Sequence, residues 1–327
     1  MSILITGASG YIGSKLANSL AWQGNQVHAL VRSEKAKKWL HHANITTFIG
    51  DVEQKESIAI AAKGCKQVYH VAARVGAWAK NASVFYDVNV EGTRNVLNAA
   101  VQAGIEKLVF TSTSGVLGPA YDRPLQEDAQ HVIGFTTDYD RTKKLAEDDV
   151  LSYSKKLNAV IVNPGKVYGP GHVSHPFAAN AVINSFLSKK FTFIPGPDTY
   201  KVCFAYVDDV VNGHILAMQK GVPGERYILG GINISYYDFF DRIRILSQCN
   251  GRIIKVPKRI AKFVSYLQQL RYHVTGIPIG FSAKSVDYAF SNYIFSSEKA
   301  KEQLGYSITP LEEALRKTIQ FFENQEE

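Results

Sequence analysis

The chain has 327 residues, of which 46% are hydrophobic and 20% are charged, and its formal net charge is +8. This composition predicts a globular protein with one large domain or two modest ones, and it excludes a disordered chain. The positive charge would suit nucleic acid, but no basic-aromatic motif or helix-turn-helix spacing supports that partner. We therefore attribute the charge to a phosphate-rich cofactor, an acidic small molecule or simply a basic surface.

The cysteines and the start of the chain indicate the cellular compartment in which we expect the protein. Cys65, Cys203 and Cys249 are an odd number without metal-ligand spacing, which argues against a disulfide framework and for a reducing compartment. The sequence begins with an apolar strand rather than a signal sequence, and it has no apolar run long enough for a spanning helix. We expect a cytoplasmic protein without a membrane span.

The first half of the chain alternates short β-rich runs with longer segments of helical periodicity. The predicted strands are Ser2–Thr6, Gln26–Val31, Thr46–Ile49, Gln67–Val71, Lys107–Thr111 and Asn158–Asn163. The predicted helices between them include Tyr11–Trp22, Ala82–Ala103 and Asp138–Lys156. This alternation predicts an α/β fold with a doubly wound parallel sheet, covered by helices on both faces.

Regular alternation ends after Pro164, where glycine and proline mark loops. Phe204–Ala217 resumes a strand-to-helix pattern, Arg226–Leu229 is predicted as a further strand, and the rest is mostly helical. We therefore expect a cofactor domain that the chain leaves and re-enters, and a smaller, mostly helical substrate lobe. The predicted ranges are 1–165 and 204–234 for the cofactor domain, and 166–203 and 235–327 for the lobe.

One helical segment of the lobe combines basic and apolar residues. Arg252–Tyr272 places Lys and Arg among Val, Phe, Leu and Tyr at helical spacing. We interpret the apolar stripe as the inner face of a lobe helix, with its charges in solvent. A helix that lies on a membrane surface is the alternative interpretation. Its aromatic residues also suit an apolar substrate cleft or a dimer face.

A glycine-rich motif, TGASGYIG, follows the first strand. Gly7, Gly10 and Gly13 would allow a tight turn in which backbone amides approach a pyrophosphate. The helix that starts at Tyr11 and Ile12 would add amide donors and the positive end of its dipole. We expect these five residues to bind a dinucleotide. The alternative, a tight turn without a ligand, is weaker in this strand-to-helix context.

The end of the second strand indicates which dinucleotide binds. Enzymes that read the ribose hydroxyls of NAD usually place Asp or Glu there, whereas this chain has Arg32, followed by Lys37 and Lys38. A guanidinium can pair with a 2′-phosphate, so NADP(H) is favoured and NAD stays open. Asp51 and Val52 follow the third strand and are placed to meet the adenine. The residues expected near the phosphates and ribose, after the fourth strand, are Val71, Ala72 and Ala73.

The motif YDRTK supplies the candidate catalytic residues. Tyr139 and Lys143 are four residues apart and would share one helical face. The ammonium would favour the phenolate form of Tyr139, which could exchange a proton with a carbonyl or alcohol oxygen, and Lys143 could also hold the nicotinamide ribose. A hydroxyl at the end of the fifth strand should polarise the substrate oxygen, with Thr113 and Ser114 nearest the expected position. Capping of local backbone is the alternative role for these hydroxyls.

Seven motifs in a fixed order resemble those of the extended short-chain dehydrogenase/reductase superfamily. They are TGASGYIG, HVAA, NVEGT, FTSTSGVLG, YDRTK, NPGKVYGPG and YVDDV. Within this NAD-dependent epimerase/dehydratase superfamily, the chain is most similar to dihydroflavonol-4-reductase-like proteins. The resemblance implies a Rossmann-type fold and makes a homodimer reasonable. It puts Thr113 in the catalytic Ser/Thr place, Arg32 with Lys37 or Lys38 on the NADP phosphate, and Pro164 and Gly165 beside the nicotinamide.

Departures from the family pattern narrow the chemistry. In nucleotide-sugar dehydratases, the sequence at the catalytic hydroxyl resembles Thr-Asp-Glu. In this chain, Ser114 and Gly115 follow Thr113. Nucleotide-sugar epimerases usually carry an arginine before YVDDV, where this chain has Val202 beside Lys201. Leu117 replaces a common tyrosine, which makes the neighbouring wall more apolar.

Three functions follow from these residues. The first is an NADP(H)-dependent reductase of a ketone or aldehyde, or the reverse alcohol oxidation, on an apolar or polyphenol-like small molecule. The alternatives are an NAD(P)-dependent sugar epimerase and a non-catalytic dinucleotide sensor. We expect no metal site, because the histidines lack ligand spacing. Three polar loop residues after NPGKVYGPG could border the substrate mouth, or be ordinary loop residues: His172, Ser174 and His175.

Overall fold

The computed structural model describes residues 2–76, 79–129, 134–135, 137–172, 179–197, 199–275 and 282–324. The strands, in chain order, are β1 (Ser2–Thr6), β2 (Gln26–Val31), β3 (Ile45–Ile49), β4 (Cys65–His70), β5 (Lys107–Thr111), β6 (Asn158–Pro164), β7 (Lys166–Tyr168), β8 (Phe191–Gly196), β9 (Lys201–Tyr206), β10 (Arg226–Leu229), β11 (Ile232–Ser235) and β12 (Arg252–Pro257). The α-helices are α1 (Tyr11–Trp22), α2 (Lys55–Ala62), α3 (Ser83–Tyr86), α4 (Gly92–Gln102), α5 (Asp138–Ser152), α6 (Ala179–Lys189), α7 (Val207–Lys220), α8 (Tyr236–Ser247), α9 (Lys258–Thr275), α10 (Ala283–Ala289), α11 (Glu298–Leu304) and α12 (Leu311–Glu323).

The central sheet has seven parallel strands in the order β10-β6-β5-β4-β1-β2-β3. The chain moves outward from β1 to β3 and then returns to β4 on the other side of β1. The carboxyl ends of β1 and β4 therefore lie at the point where the strand order reverses, where sheets of this kind bind their ligands. The structure confirms the predicted α/β doubly wound sheet.

Helices cover both faces of this sheet, and the strands feed a separate apolar core on each side. Along β1, Ile3 and Ile5 enter one core and Leu4 enters the other. The first core takes apolar side chains from α1 and α7, and the second from α2, α4 and α5. Burial on both faces explains why these strands have nearly continuous apolar sequences.

The chain leaves the central sheet after β6 and returns to it at β10. Between and after these strands, β7, β9 and β11 form a small sheet, and β8 pairs with β12. The helices α6, α8 and α12 pack around this part of the chain through a third core rich in phenylalanine. Its members include Phe186, Phe239, Phe240 and Phe322. The domain ranges given above stay a prediction.

Most predicted elements differ from the observed ones only at their ends. The fourth strand, predicted as Gln67–Val71, spans Cys65–His70. The predicted helix Ala82–Ala103 is divided into α3, a π-helical turn at Asp87–Glu91 and α4. Such turns commonly mark functional positions in helices, and this one contains Asn89, which contacts the candidate site as described below.

The interpretation of the Arg252–Tyr272 stripe as an inner face is wrong for the helical part of this segment. In α9, Phe263 is 63% exposed and Leu270 is also 63% exposed, whereas Ser265 on the opposite side is buried. The apolar face of α9 is thus turned away from the protein. Within the described ranges, no helix is both long enough and apolar enough to cross a bilayer.

Candidate active site

The turn between β1 and α1 is packed so closely that two of its glycines have no room for a side chain. Gly7 has a φ of 68°, and a Cβ there would lie 2.6 Å from the backbone nitrogen of Ala72. A Cβ at Gly13 would lie 2.2 Å from the carbonyl oxygen of Gly7. The backbones of the turn, of α1 and of the residues after β4 thus meet directly, as a phosphate-binding loop requires.

The N-terminus of α1 carries no side-chain cap and no acidic residue in its first turn. Its N-cap, Gly10, donates its amide to the carbonyl oxygen of Gly7 over 2.9 Å. The Tyr11 hydroxyl donates to the carbonyl oxygen of Gly169 over 2.8 Å, and Ile12 packs against the core. The side chains of Tyr11 and Ile12 therefore anchor the helix. Its amides and positive dipole end favour an anion.

A buried histidine holds the backbone beside this turn. The Thr93 hydroxyl donates to the carbonyl oxygen of Asn89 and so can accept from His70 Nε2, 2.9 Å away. His70 Nδ1 then accepts from the Thr6 hydroxyl at 2.7 Å, and Thr6 in turn accepts from the Ala72 amide. Burial, followed by the charge of Lys143, lowers the pKa of His70 to about 3. A neutral His70 ring therefore satisfies every hydrogen bond in this series.

A second buried histidine, His214, is neutral for the same reason. Burial lowers its pKa to about 4, Nδ1 lies 2.7 Å from the carbonyl oxygen of Val210, and Nε2 lies 2.9 Å from the Thr111 hydroxyl. A carbonyl can only accept, so Nδ1 carries the proton and Nε2 accepts from the threonine.

These two histidines make the protein sensitive to acid. Their folded-state pKa values lie below the unfolded value, so the unfolded chain binds more protons and stability is lost as pH falls below about 6.5. Burial raises the pKa of Asp140 to about 6. The folded chain therefore takes up this proton at a higher pH than the unfolded chain does, which offsets part of the loss. We expect the free energy of unfolding to fall by about 3 kcal/mol between about pH 7 and pH 4.5.

Urea titrations at the two pH values measure this loss. The variant His214→Gln removes one of the two titrating rings and leaves the opposing effect of Asp140, so the loss between about pH 7 and pH 4.5 should shrink from about 3 to about 1 kcal/mol or less. An equal pH dependence in the variant and the parent would contradict the assignment of the acid loss to these histidines.

The basic residues predicted to select the dinucleotide follow β2. Arg32 is exposed, and the next residues form a 3-10 helix, Glu34–Trp39. Lys37 forms an ion pair with Glu34, and Lys38 Nζ lies 4.7 Å from the centre of the Trp39 ring. Arg32 is thus the first cation after the strand, while both lysines already contact neighbours.

The residues predicted to meet the adenine lie at the end of β3. The Asp51 carboxylate accepts a hydrogen bond from the Glu53 amide at 3.2 Å. Val52 is buried, and its carbonyl oxygen accepts from Asn95 at 3.0 Å. Asp51 therefore supplies the half-buried polar side chain here, and Val52 belongs to the core. Beyond β4, three half-buried residues continue the same edge of the sheet: Val71, Ala72 and Ala73.

The fold brings Thr113 and Tyr139 together from different elements. Thr113 follows β5 and caps a 3-10 helix, Ser114–Leu117, by accepting from the Gly115 amide at 3.1 Å. Burial and then the Asp140 carboxylate raise the pKa of Tyr139 above its usual value, while a side-chain hydrogen bond with Thr113 opposes this shift. Thr113 thus caps local backbone and also contacts the phenol. At neutral pH, Tyr139 is a protonated hydroxyl that can donate a proton.

Lys143 lies one turn further along α5 and is completely buried. Its Nζ has no hydrogen-bond partner among the described residues and lies 3.9 Å from the centre of the Phe110 ring. Burial lowers the pKa of Lys143 to about 7, and the charge of Glu147 opposes the shift. The structure therefore buries an amine whose hydrogen-bonding capacity the described protein atoms leave unused.

Sequence analysis missed a buried network that supports these residues. Asn163, on β6, donates to the Thr113 carbonyl oxygen at 3.0 Å and to Glu147 at 2.7 Å. Glu147 is fully buried and lies 2.9 Å from the Arg226 guanidinium on β10. The network thus joins β5, α5, β6 and β10. Its signal in the sequence was a glutamate one helical turn after Lys143, on the face of α5 that turns inward.

Asn89 connects the site to the strand end after β4. It accepts from the Arg74 amide at 2.7 Å, and it donates to the Arg74 carbonyl oxygen and to the Thr142 hydroxyl on α5. Asn89 therefore orients the backbone after β4 and links it to α5. Pro164, at the end of β6, is buried, and a Cβ at Gly165 would lie 2.7 Å from the carbonyl oxygen of Cys203. This segment is therefore fixed against β9.

The lobe approaches the candidate catalytic residues through α10. The Tyr288 ring stacks on Tyr293 with centroids 3.9 Å apart. Burial raises the pKa of Tyr288 well above its usual value, and the Asp140 carboxylate and Tyr139 add to this shift. Tyr288, Asp140 and Tyr139 thus lie close enough to interact electrostatically. Sequence reasoning named neither Tyr288 nor Asp140.

Of the three polar loop residues, the structure describes His172. His172 stacks on Trp39 with centroids 4.3 Å apart, and burial and Lys38 lower its pKa. It therefore lies against the basic segment after β2. Ser174 and His175 fall outside the described residues. In the part of the chain that the structure describes, no group of three or more His, Cys, Asp or Glu residues could hold a metal ion.

Together these features fit a nicotinamide dinucleotide. At Gly7 and Gly13, any side chain would fill the space in the turn after β1. The helix that follows this turn, α1, has no side-chain cap at its N-terminus. The Lys143 amine is buried and has no hydrogen-bond partner among the described residues. A phosphate-binding turn, with a Tyr and a Lys one turn apart near a strand-end hydroxyl, defines a dinucleotide-dependent enzyme.

Comparisons with known proteins agree with this class. The profile of the NAD dependent epimerase/dehydratase family matches residues 3–230. A Synechocystis sp. protein that carries the name dihydroflavonol 4-reductase is 28% identical, covering 98% of this chain and 94% of the relative. A Stigmatella aurantiaca protein, 4-hydroxy-2-methyl-3-oxo-4-farnesyl-3,4-dihydroquinoline-1-oxide ketoreductase, is 29% identical, covering 94% of this chain and 92% of that protein. The crystal structure of gox2253 is 30% identical with a TM-score of 0.83, covering 99% of this chain and 98% of that one.

The chain belongs to the NAD dependent epimerase/dehydratase family. It is an NAD(P)-dependent enzyme of the extended short-chain dehydrogenase/reductase type, as its motifs predicted.

Proposed function

We propose that this enzyme uses NADP(H) to reduce a ketone or aldehyde of an apolar or polyphenol-like small molecule, or to oxidise the corresponding alcohol. The observation that carries the proposal is the contact between Tyr139 and Thr113, one helical turn from the buried amine of Lys143. The proposed cofactor domain is formed by residues 1–165 and 204–234, and the lobe by 166–203 and 235–327.

The proposed chemistry assigns one task to each side chain. When bound, NADPH supplies the hydride. Tyr139 donates its phenolic proton to the carbonyl oxygen, because burial keeps the phenol protonated. The Thr113 hydroxyl hydrogen-bonds the same oxygen and polarises the carbonyl. Lys143 holds the nicotinamide ribose and stabilises the phenolate after proton transfer, which uses the amine that the described protein atoms leave unpaired.

The proposed preference for NADP(H) rests on the residues after β2. Arg32 is exposed as the first residue after β2 and can form two parallel hydrogen bonds to a 2′-phosphate. Lys37 and Lys38 lie on the 3-10 helix that follows and add positive charge. The remaining proposed cofactor contacts are Gly7, Gly10, Tyr11, Ile12, Gly13, Asp51, Val52, Val71, Ala72, Ala73, Pro164 and Gly165.

The apolar substrate class is supported by two positions at which many relatives carry a polar residue and this chain carries an apolar one. Leu117 is buried where many relatives have a tyrosine, and Val202 is buried in the place where nucleotide-sugar epimerases carry an arginine. Lys201, beside it, is exposed. Two relatives are named as reductases, and the name of one specifies a farnesylated, and hence largely apolar, ketone. These observations favour a carbonyl reductase over a sugar epimerase.

Incubation of the purified protein with NADPH and a panel of apolar ketones and aldehydes tests the proposal. We expect a net loss of NADPH absorbance that depends on the carbonyl compound. Cofactor that stays bound and unchanged while UDP-sugars interconvert would contradict the proposal in favour of an epimerase. Dinucleotide binding without turnover of any carbonyl compound or sugar would support a binding protein.

Replacement of Arg32 separates the cofactor preference from the activity. The variant Arg32→Ala should raise the Kd for NADPH by about 10- to 100-fold and change the Kd for NADH by less than about threefold, because only NADPH carries the 2′-phosphate. Fluorescence titration of both cofactors measures the two constants. Lys35→Ala, which removes a nearby exposed cation, is the control. Equal losses for NADPH and NADH in Arg32→Ala would refute the NADP(H) preference.

A further inference from the structure

The helix α9 presents its apolar residues to solvent. These side chains recur at helical spacing along one face, and all of them are exposed. They are Ile260, Phe263, Val264, Leu267, Leu270 and Val274. Surface helices of globular proteins normally turn such a face toward the core. We call these six residues the α9 face.

The opposite side of the helix contacts the rest of the protein. Lys258 and Lys262 both contact the Asp287 carboxylate on α10, at 2.9 and 3.0 Å. Ser265, one turn further along, is buried and donates to the Lys262 carbonyl oxygen. The side of α9 that faces the protein is thus polar and paired. Rotating the helix to bury its apolar face would break these contacts and bury charges.

The positive charge of the chain is concentrated around this face. Between Asp241 and Asp287 there are nine Lys and Arg residues and no Asp or Glu, whereas the rest of the chain has 28 basic and 29 acidic residues. The whole excess charge therefore lies in the segment that contains β12, α9 and the start of α10. Cofactor binding alone does not account for this placement, since the predicted phosphate-binding cations lie far away in sequence.

β12, which precedes α9, and its partner strand β8 expose further apolar side chains. Phe193 on β8 is 62% exposed, Phe191 on the same strand is also exposed, and their rings are in edge contact. Ile254 on β12 pairs in register with Phe193, and Arg252 pairs with Phe191. β12 ends at Pro257, directly before α9. The paired strands β8 and β12 thus expose Phe191, Phe193, Ile254 and Arg252, and β12 leads directly into α9.

We propose that the α9 face docks on the surface of an anionic lipid bilayer, with the helix lying in the membrane plane. Its 18 residues span about 27 Å, contain no acidic residue and combine an exposed apolar face with flanking cations, as interfacial helices do. A second copy of the chain fits less well. A two-fold interface through this face would bring two segments of the same positive charge together.

The helix that carries the α9 face contacts α10, which reaches the candidate active site. Asp287, which pairs with both α9 lysines, is followed by Tyr288, whose ring approaches Tyr139 and Asp140. Docking would therefore hold the site close to the bilayer. This inference does not depend on the proposed reaction, because membrane binding can be measured without turnover.

Co-sedimentation of the full-length protein with vesicles tests the proposal. Vesicles of phosphatidylcholine alone are compared with equimolar phosphatidylcholine and phosphatidylglycerol. We expect binding to the anionic vesicles at least about tenfold tighter than to the neutral ones, and weaker binding at high salt. The variant Phe263→Ser/Leu267→Ser/Leu270→Ser should lose at least about tenfold in binding. Arg252→Gln/Arg259→Gln should weaken binding to anionic vesicles only.

A matched variant controls for the general loss of surface apolarity. Trp22→Ser/Ile60→Ser/Val222→Ser removes three exposed apolar side chains elsewhere and should bind vesicles like the parent. Circular dichroism and thermal melting check that all variants fold. Equal vesicle binding by the α9 variant and the parent, or equal binding to both vesicle types, would overturn the proposal. A parent dimer that the α9 variant converts to monomer in sedimentation without lipid would also overturn it, in favour of a second copy.

Discussion

Tyr139→Phe is expected to lower kcat by at least about 10³-fold while the Kd for NADPH stays within about twofold. The substitution removes the phenolic hydroxyl that the proposed mechanism uses as proton donor, and it leaves the ring in place next to Thr113. The phosphate-binding turn and Arg32 lie on other elements and are untouched. Steady-state kinetics with an apolar ketone measure kcat, and fluorescence titration measures NADPH affinity.

The same substitution elsewhere on α5 separates chemistry from folding. Tyr153 is the C-cap residue of this helix, and its hydroxyl donates to Asn98 at 2.7 Å. Tyr153→Phe should keep the parent kcat within about twofold, since surface hydrogen bonds contribute about 1 kcal/mol to stability and nothing to proton transfer. Turnover that survives in Tyr139→Phe would remove this residue from the mechanism.

Gly13→Ala is expected to weaken NADPH binding by at least about 100-fold. The new Cβ would lie 2.2 Å from the Gly7 carbonyl oxygen, which is backbone and cannot rotate away. Gly7 cannot retreat either, because Ala72 lies directly behind it. The start of α1 must therefore move away from the turn, which separates the amides that hold the pyrophosphate. We also expect a loss of about 1–3 kcal/mol in the free energy of unfolding.

Thermal melts with and without NADPH, together with fluorescence titration, measure both effects. The control is Gly134→Ala, a site where an added Cβ would have no atom of the described residues within 4 Å. It should leave NADPH affinity and stability unchanged. Tight NADPH binding by a folded Gly13→Ala protein would show that the turn is not the phosphate-binding loop.

The sequence by itself determined those features that depend on near neighbours. The apolar runs predicted buried strands because a strand covered on both faces needs apolar residues throughout. Gly7 and Gly13 predicted a tight strand-to-helix turn because only glycine leaves room there. Tyr139 and Lys143 were predicted to share a face because helical geometry alone places residues four apart on the same side.

Tertiary structure decided the features that join distant parts of the chain. The contact between Thr113 and Tyr139, and the link from Glu147 to Asn163 and Arg226, depend on how β5, β6, β10 and α5 pack. No local pattern encodes these pairings. The burial of Lys143 and the resulting shift of its pKa toward neutrality also appear only after the strands and helices enclose it.

The orientation of α9 is the clearest case of a feature that the tertiary structure decided and the sequence did not. Helical periodicity in the sequence identified an apolar stripe, but periodicity is unchanged when the helix is rotated about its axis. The favoured interpretation placed the stripe inside because apolar burial is usually the largest favourable contribution to folding. In the folded chain, Lys258 and Lys262 pair with Asp287 on another helix and Ser265 is buried, so their side of α9 faces the protein. A helix's outer face depends on its partner elements, and those are set by the tertiary fold.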